Sequence, residues 1–216
     1  MIVGTGTNIC YPEAYRNIKK LNLSDPNRMM INVEAGNFDK IPRGPIDIEF
    51  DAGTIDPGYH QLEKMVSGGY FGALAGLVLN KAVEAGLLSP PHSASLELTT
   101  SDVSGFLEDD PDAILCRIFK GDEDKKTVSI LLNALVDRAA HLIALEIASA
   151  SVKSIGKNGS VFATVEGTMF YKMPTIRQKV LDILDVWLKR KYGIQVHIRK
   201  EEDAVLIGTG AIALTV

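Results

Sequence analysis

"MIVGTGTNICYPE", residues 1–13, decides how the chain is read. Ile2 and Val3 read as the end of a strand, and Gly4 to Asn8 as a turn of two glycines among small polar residues. A strand running into such a turn exposes several backbone N–H groups, which suits a phosphate. Gly4 and Gly6 allow close approach, and Thr5 and Thr7 add hydroxyls. An ordinary tight turn satisfies the same spacing.

Outward from that turn, helix and strand patterns alternate. "MMINVEAGNF", 29–38, predicts a second strand, with Met30, Ile31 and Val33 apolar and a turn at Gly36. "KIPRGPIDIEFDAGTIDPG", 40–58, carries three prolines and predicts mostly loop. His60 to Leu88 is helical in pattern, with Gly68 and Gly69 separating or kinking two helices. A loop follows, then helices from about Ser101 and over Pro111 to Phe119. "KGDEDKK", 120–126, predicts a charged surface turn. A long buried helix is expected from about Thr127 to Ser154, ended by "GKNGS". "VFATVEG", 161–167, and "IQVHIRK", 194–200, predict strands around a helix from Pro174 to Lys191. Its apolar residues Ile176, Val180, Ile183, Leu184, Trp187 and Leu188 share one face. "AVLIGTGAIALTV" predicts a glycine turn entering a last helix. No repeat or low-complexity tract divides the chain, so one α/β domain over 1–216 is expected.

The totals exclude several functions. The chain has 216 residues, 46% hydrophobic and 23% charged, with a net charge of -4. No basic cluster offers itself to nucleic acid. Cys10 and Cys116 make neither a disulfide framework nor a metal-ligand spacing, and the four histidines are scattered. Two reduced thiols in a cytoplasmic protein are expected. The most apolar run, "VSILLNALVDRAAHLIALEIASASV", is broken by Asp137, Arg138, His141 and Glu146, so no membrane span is expected. No signal peptide is visible.

Four stretches are placed to do chemistry. The first is the Gly4–Asn8 turn. The second is a pair of carboxylates: Glu34 in an apolar strand, and Glu63 in "PGYHQLEKM". A carboxylate can hold a pair of sugar hydroxyls; a strand edge for Glu34 and a solvated face for Glu63 are the plainer alternatives. The third is "ATVEGTMFYK", 163–172, a strand running into an acidic-Gly-Thr turn, and the fourth is "IGTGA", 207–211. Either of these closes over a nucleotide or is a plain turn.

Taken in order, these stretches resemble the hexokinase family, in particular the C-terminal large-domain portion of a eukaryotic-type hexokinase or glucokinase. "IVGTGTNICY" is similar to the family's second phosphate-binding motif. "INVEAGNF" is similar to its Ile-Asn-x-Glu-Trp-Gly-x-Phe segment, and "DPGYHQLEKMVSGGYFGAL" to its Asn-Pro-Gly…Glu-Lys-Met-x-Ser-Gly stretch. "TTSDVSGFLEDD", "VDRAAHL", "VEGTMFYK" and "GTGAIALTV" follow in family order. Ala35 stands where the family has Trp, Asp56 where it has Asn, and Glu166 where it has Asp. The family's C-terminal Gly-Ser-Gly-Lys-Gly turn is only partly reproduced.

The resemblance implies an actin-like ATPase (ribonuclease H-like) fold and transfer of the ATP γ-phosphoryl group to a hexose 6-hydroxyl, with Mg2+. It implies that Asn8, Glu34 and Glu63 hold hexose hydroxyls, and that Thr5 and Gly6 meet the ATP phosphates. Thr100 and Ser104 match nucleotide-side contacts, and Gly167 and Thr168 the turn beside the adenosine. In the family, a small domain comes first. It supplies another phosphate loop, a Thr-Lys sugar contact and the aspartate that takes the hydroxyl proton. None of these lies in the 216 residues. A longer enzyme is therefore expected, and apolar surface exposed without that first domain predicts a homodimer or another contact near Gly4–Asn8. The alternative function is a non-catalytic sugar- or nucleotide-binding module of the same fold.

Overall fold

The computed structural model describes residues 1–20, 28–90 and 95–213. Strand β1 is Ile2–Val3 and β2 is Thr7–Asn8. They pair antiparallel, Ile2 opposite Asn8 and Val3 opposite Thr7. The turn is therefore shorter than expected. It spans only Gly4 to Gly6, closed by the Gly4 N–H donating to Gly6 O at 2.9 Å, which leaves Thr7 and Asn8 in the strand. Past Ile9 the chain continues as β3, Cys10–Ala14, antiparallel to β4, Arg28–Asn32, with Cys10 opposite Asn32. Strand β5, Gly159–Thr164, pairs parallel with β6, Ile194–Arg199. The two halves meet where Ile2 bridges Glu166 in parallel. There the Val3 N–H donates to Glu166 O (2.7 Å) and the Glu166 N–H to Met1 O (3.0 Å). Among the described residues the strands pair as three two-stranded sheets, β1 with β2, β3 with β4 and β5 with β6, and the Ile2–Glu166 bridge joins the first to the last.

The helices are α1 Pro45–Ala52, α2 Gln61–Val66, α3 Phe71–Glu84, α4 Thr100–Leu107, α5 Ile114–Ile118 and α6 Asp122–Ile155. After β5 come α7 Thr168–Lys172 and α8 Ile176–Ile183, which continues as a π-helical Leu184–Lys189 and a final turn α9, Arg190–Tyr192. Helix α10, Ala204–Ala213, follows β6. The core is organised by α6, which lies against β3, β5, β6 and α8. Its buried Val128, Leu132, Val136, Ala139, Ala140, Ile143 and Ile147 recur every three or four residues. Among the described residues α6 is the one helix long and apolar enough to cross a membrane, and this buried stripe is that of a core helix.

Several expectations are corrected. The proline-rich 40–58 stretch contains α1, because Pro45 sits at the first helical position, where its missing N–H costs nothing. "KGDEDKK" is not a turn. Asp122, Glu123 and Asp124 are the first turn of α6, where negative charge complements the helix dipole. Pro174 precedes its helix rather than opening it, and Thr175 caps α8 at a φ of 64°. The late glycines make no turn, since α10 runs through Gly208 and Gly210. Residues 91–94 of the expected loop and 214–216 of the last helix lie outside the described residues. The break at Gly68–Gly69 is as expected, with α2 ending at Val66 and α3 starting at Phe71.

Gly72 fixes how closely α3 meets the start of α4. A Cβ there would fall onto the Thr99–Thr100 backbone, which has no flexible end to move aside. Alanine ordinarily stabilises a helix interior by about 1 kcal/mol over glycine. Here the sign reverses: Gly72→Ala is expected to destabilise by about 3 kcal/mol, at the upper end for overpacking. Urea unfolding checks this, and a neutral or stabilising alanine would mean that α3 and α4 separate freely.

Candidate functional site

The carboxylates and the asparagine meet at one corner. Asn8 ends β2 and its side chain works in two directions: Oδ1 accepts from the Ile9 N–H (2.8 Å) and the Ala35 N–H (3.1 Å), while Nδ2 donates to Asn32 Oδ1 (2.7 Å). Asn32 in turn donates to Glu34 Oε1 at 2.6 Å. Glu34 lies beyond β4 rather than in an apolar strand. It is exposed, at the start of the short turn Ala35–Asn37, with a φ of 54°. Glu63, on α2, reaches the same place from the other side: its Oε2 accepts the Thr7 N–H at 2.9 Å. It fills the space above two glycines, since a Cβ on Gly6 would come 2.6 Å from Glu63 Oε2 and one on Gly36 3.2 Å. A left-handed backbone at a non-glycine residue costs on the order of 1–3 kcal/mol and clusters at ligand sites. Two such residues, Glu34 and His60 (φ 52°), start the two segments that converge here.

Helix α2 is held from behind by a buried cation. Lys64 is 2% exposed. Its ammonium lies 2.7 Å from Asp51 Oδ1 and 3.1 Å from Asp56 Oδ1, and donates to Asp56 O at 2.8 Å. Burial alone would push the Lys64 pKa down, but the bonds to Asp51 and Asp56 leave it raised. Burial likewise pushes Asp51 up, yet Lys64, the Gly58 N–H and Arg43 bring it below the usual carboxylate range. The charges are satisfied on the far side of α2, leaving Glu63 on the near side to face Gly6.

The turn itself is stitched to the α2–α3 break. The Gly68 N–H donates to Gly4 O (2.7 Å) and the Gly69 N–H to Thr5 O (3.0 Å). Beyond it opens a cleft of about 540 Å³ lined by Thr5, Gly68, Thr100, Ser104, Thr168 and Lys172, among others. Gly167, next to the lining Thr168, is not itself among the lining residues; it has a φ of 115°, and a Cβ there would strike Val3 O. Thr5, Thr100, Ser104 and Thr168, far apart in sequence, are thus brought to one wall. Gly6 is not among the lining residues; it follows Thr5, which is, and meets Glu63. Two of the hydroxyls are already engaged. Thr100 Oγ1 donates to Gly68 O (2.7 Å) and accepts from the Gly72 N–H (3.0 Å), and Ser104 Oγ donates to Lys172 O (3.2 Å). Thr100 is a latch between α4 and the turn as well as part of the wall. The "IGTGA" stretch is helix and does not line this cleft.

The family model described as hexokinase matches residues 1–215. The chain belongs to the hexokinase family. The hexokinase-like 1 protein of Arabidopsis thaliana is 30% identical over the whole of this chain, which covers 48% of that relative. Hexokinase-1 of Rattus norvegicus is 36% identical over 67% of the chain, covering 17% of the relative. The solved hexokinase of Schistosoma mansoni, complexed with glucose, superposes with a TM-score of 0.78 at 24% identity, over 91% of this chain and 48% of that one. The chain thus spans about half or less of the length of these hexokinases. Its mixed α/β architecture is the actin-like ATPase fold of those neighbours.

Asn32 and Glu146 escaped the sequence reading as parts of this corner, and Thr7, read there only as a hydroxyl of the turn, acts through its backbone as well. Thr7 is buried and holds Glu63 through its backbone. Asn32 bridges Asn8 to Glu34. Glu146, on α6 below the turn, lies 3.4 Å from Thr7 Oγ1. No sequence pattern marks them, because each acts through a tertiary approach. Among the described residues no cluster of His, Cys, Asp or Glu fits a resident metal ion.

Proposed function

We propose that this chain carries the hexose- and nucleotide-binding half of an ATP-dependent hexokinase, which in a complete enzyme phosphorylates a hexose at its 6-hydroxyl. One observation carries the reading. Glu63 Oε2 bears on Gly6, and Thr5 of the same three-residue turn lines the hydroxyl-rich cleft. A sugar held by Glu63 and a phosphate held at Thr5–Gly6 would share that turn. Asn8, Glu34 and Glu63 offer amide and carboxylate groups to hexose hydroxyls. Thr5, Gly6, Thr100, Ser104, Gly167 and Thr168 form the nucleotide wall. The cleft volume is that of an ordinary small-molecule site, and Lys172 on its rim suits a polyphosphate. Magnesium, for which these residues offer no cage, would arrive on the nucleotide phosphates, as it usually does. The work of these residues is to place donor and acceptor in line, which is most of what phosphoryl transfer asks of a protein.

The test is calorimetric. Glu63→Gln is expected to weaken glucose binding about 10- to 100-fold, the worth of hydrogen bonds to a charged group, with ATP binding unchanged. Equal glucose affinity in the variant would remove Glu63 from the sugar site. Glucose binding by the wild-type chain with no binding of ATP would favour the sugar-binding module instead.

A further inference from the structure

Strands β3 and β5 face each other across a slot. Strand β1 lies between β2 and Glu166. Since β3 continues β2 and β5 leads to Glu166, their facing edges stand two strand spacings apart, roughly 9–10 Å. Among the described residues no strand pairs with either facing edge. The slot is a cavity of about 240 Å³, with Cys10 and Pro12 on one wall, Phe162 and Thr164 on the other, and Ile147 and Ala150 of α6 as its floor. Both walls present backbone groups. The Val33 N–H donates to Ile9 O, so by alternation Tyr11 turns its backbone to β4, and Cys10 and Pro12 turn theirs to the slot. On the other wall the Gly159 and Val165 N–H groups donate to Gly193 O and Arg199 O beside β6, so Phe162 and Thr164 point the opposite way, into the slot. A ladder along this edge has already begun: the Val3 N–H donates to Glu166 O (2.7 Å), and the Met1 nitrogen to Thr164 O (2.8 Å). The core beneath is only partly covered, with Ala150, Val161 and Ala163 half-buried.

We propose that this slot is a strand acceptor: it takes one extended polypeptide segment of about four residues, from outside these 216 residues, laid in line with β1. The occupant is polypeptide because both walls ask for alternating N–H and C=O groups at the spacing of a strand, and strand addition to open sheet edges is a general mode of peptide recognition. Its direction is that of β1, antiparallel on the β3 side and parallel on the β5 side. Alternate side chains of the segment fall on Ile147 and Ala150 and are apolar; those between face outward beside Cys10 and Phe162. The β3 wall sets the length. Pro12 offers a carbonyl but no N–H, and the Ala14 N–H is already taken by Glu13 Oε1 at 3.0 Å. A filled slot joins the β3–β4 pair to the β5–β6 pair as one sheet over α6.

The test adds a capped pentapeptide of alternating valine and threonine to the 216-residue chain and follows amide hydrogen exchange by NMR. At saturating peptide the Cys10, Phe162 and Thr164 amides are expected to exchange about tenfold more slowly or better. The same peptide N-methylated at every second residue, which lacks the donors for one wall, is expected to protect none of them. Ala150→Phe, which fills the floor, is expected to abolish the protection while the Gly68 and Gly69 amides, bonded to the Gly4–Thr5 turn, exchange as in the wild type. The methylated peptide decides the matter without any substitution. No protection at millimolar peptide overturns the proposal, as does equal protection by the methylated peptide, which would make the contact apolar rather than a ladder. Protection of Phe162 and Thr164 with Cys10 unchanged overturns it too, since the peptide would then lie on one edge alone. Protection confined to the outer edges of β4 and β6 would be general sheet-edge association and counts the same way. Protection of these three amides that grows with protein concentration in the absence of peptide would put a second copy of the chain in the slot, and overturns the outside occupant.

Discussion

Glu146→Gln is expected to raise the thermal stability of the chain on the order of 10 °C at pH 9 and to leave it nearly unchanged at pH 5. A buried carboxyl with a folded pKa of about 8, against an ordinary 4.5, holds its proton where the unfolded chain has lost it. The folded state then binds more protons than the unfolded one, and stability falls as pH rises through that window. At ~1.4 kcal/mol per unit, the penalty grows to about 5 kcal/mol by pH 8 and stays there. Glutamine carries no such proton and escapes the penalty, at ~2–4 °C per kcal/mol for a chain of this size. The other shifted groups act in both proteins alike. Lowered Asp51 and Asp56 stabilise above the usual carboxylate range and lose that contribution in acid; raised Lys64 loses its own only in strong alkali. They cancel in the comparison. Calorimetry at pH 5, 7 and 9 measures it. An equal shift at all three would assign the effect to packing rather than to a proton, and no shift would mean that water reaches Glu146.

The sequence makes most elements legible wherever local pattern and tertiary role agree. The α2–α3 break is an example: Gly68 and Gly69 end one apolar stripe before the next begins, and the structure uses their N–H groups to hold the Gly4–Thr5 turn. Legibility fails where one residue type serves two purposes. Proline reads as a loop signal in "RGPIDIEF" but is the first residue of α1. Acidic residues read as a surface turn in "KGDEDKK" but suit the start of α6. The site divides in the same way. Glu34 and Glu63 stand out by their placement, but their joining with Asn8 becomes visible only through the order of family motifs, since no periodicity connects the end of a strand, a left-handed turn and a helix. Glu146 is hidden for a different reason. In sequence it breaks an apolar helix and argues against a membrane span. Its place below Thr7 follows only from a tertiary approach of α6 to β2.

Assayed by themselves with ATP, magnesium and a panel of hexoses, these 216 residues are expected to give no hexose-dependent turnover, although glucose binding survives. The reacting 6-hydroxyl must lose a proton, and a positioned base for that step is worth about 10²–10⁴-fold in rate. The two carboxylates at the corner are poor substitutes. Glu63 Oε2 is committed to the Thr7 N–H and Glu34 Oε1 to Asn32, so each is fixed for binding at its own wall. Glu146 lies beneath the hairpin, behind Thr7, and does not face the sugar. Orientation is short as well. Thr5, Thr168 and Glu34 are exposed, so water reaches the turn, the cleft and the sugar corner alike. Full alignment of two substrates, with water excluded, can supply roughly 7–11 kcal/mol of a barrier. One wall alone forfeits most of that. A coupled assay for ADP release decides the matter, with each hexose compared against a sugar-free control. Hexose-dependent turnover near 1 s⁻¹ or above, inside the ordinary enzyme range of about 1–10³ s⁻¹, would show that a base for the 6-hydroxyl lies within these residues. The neighbourhood of Glu63 would then be the first place to look for it.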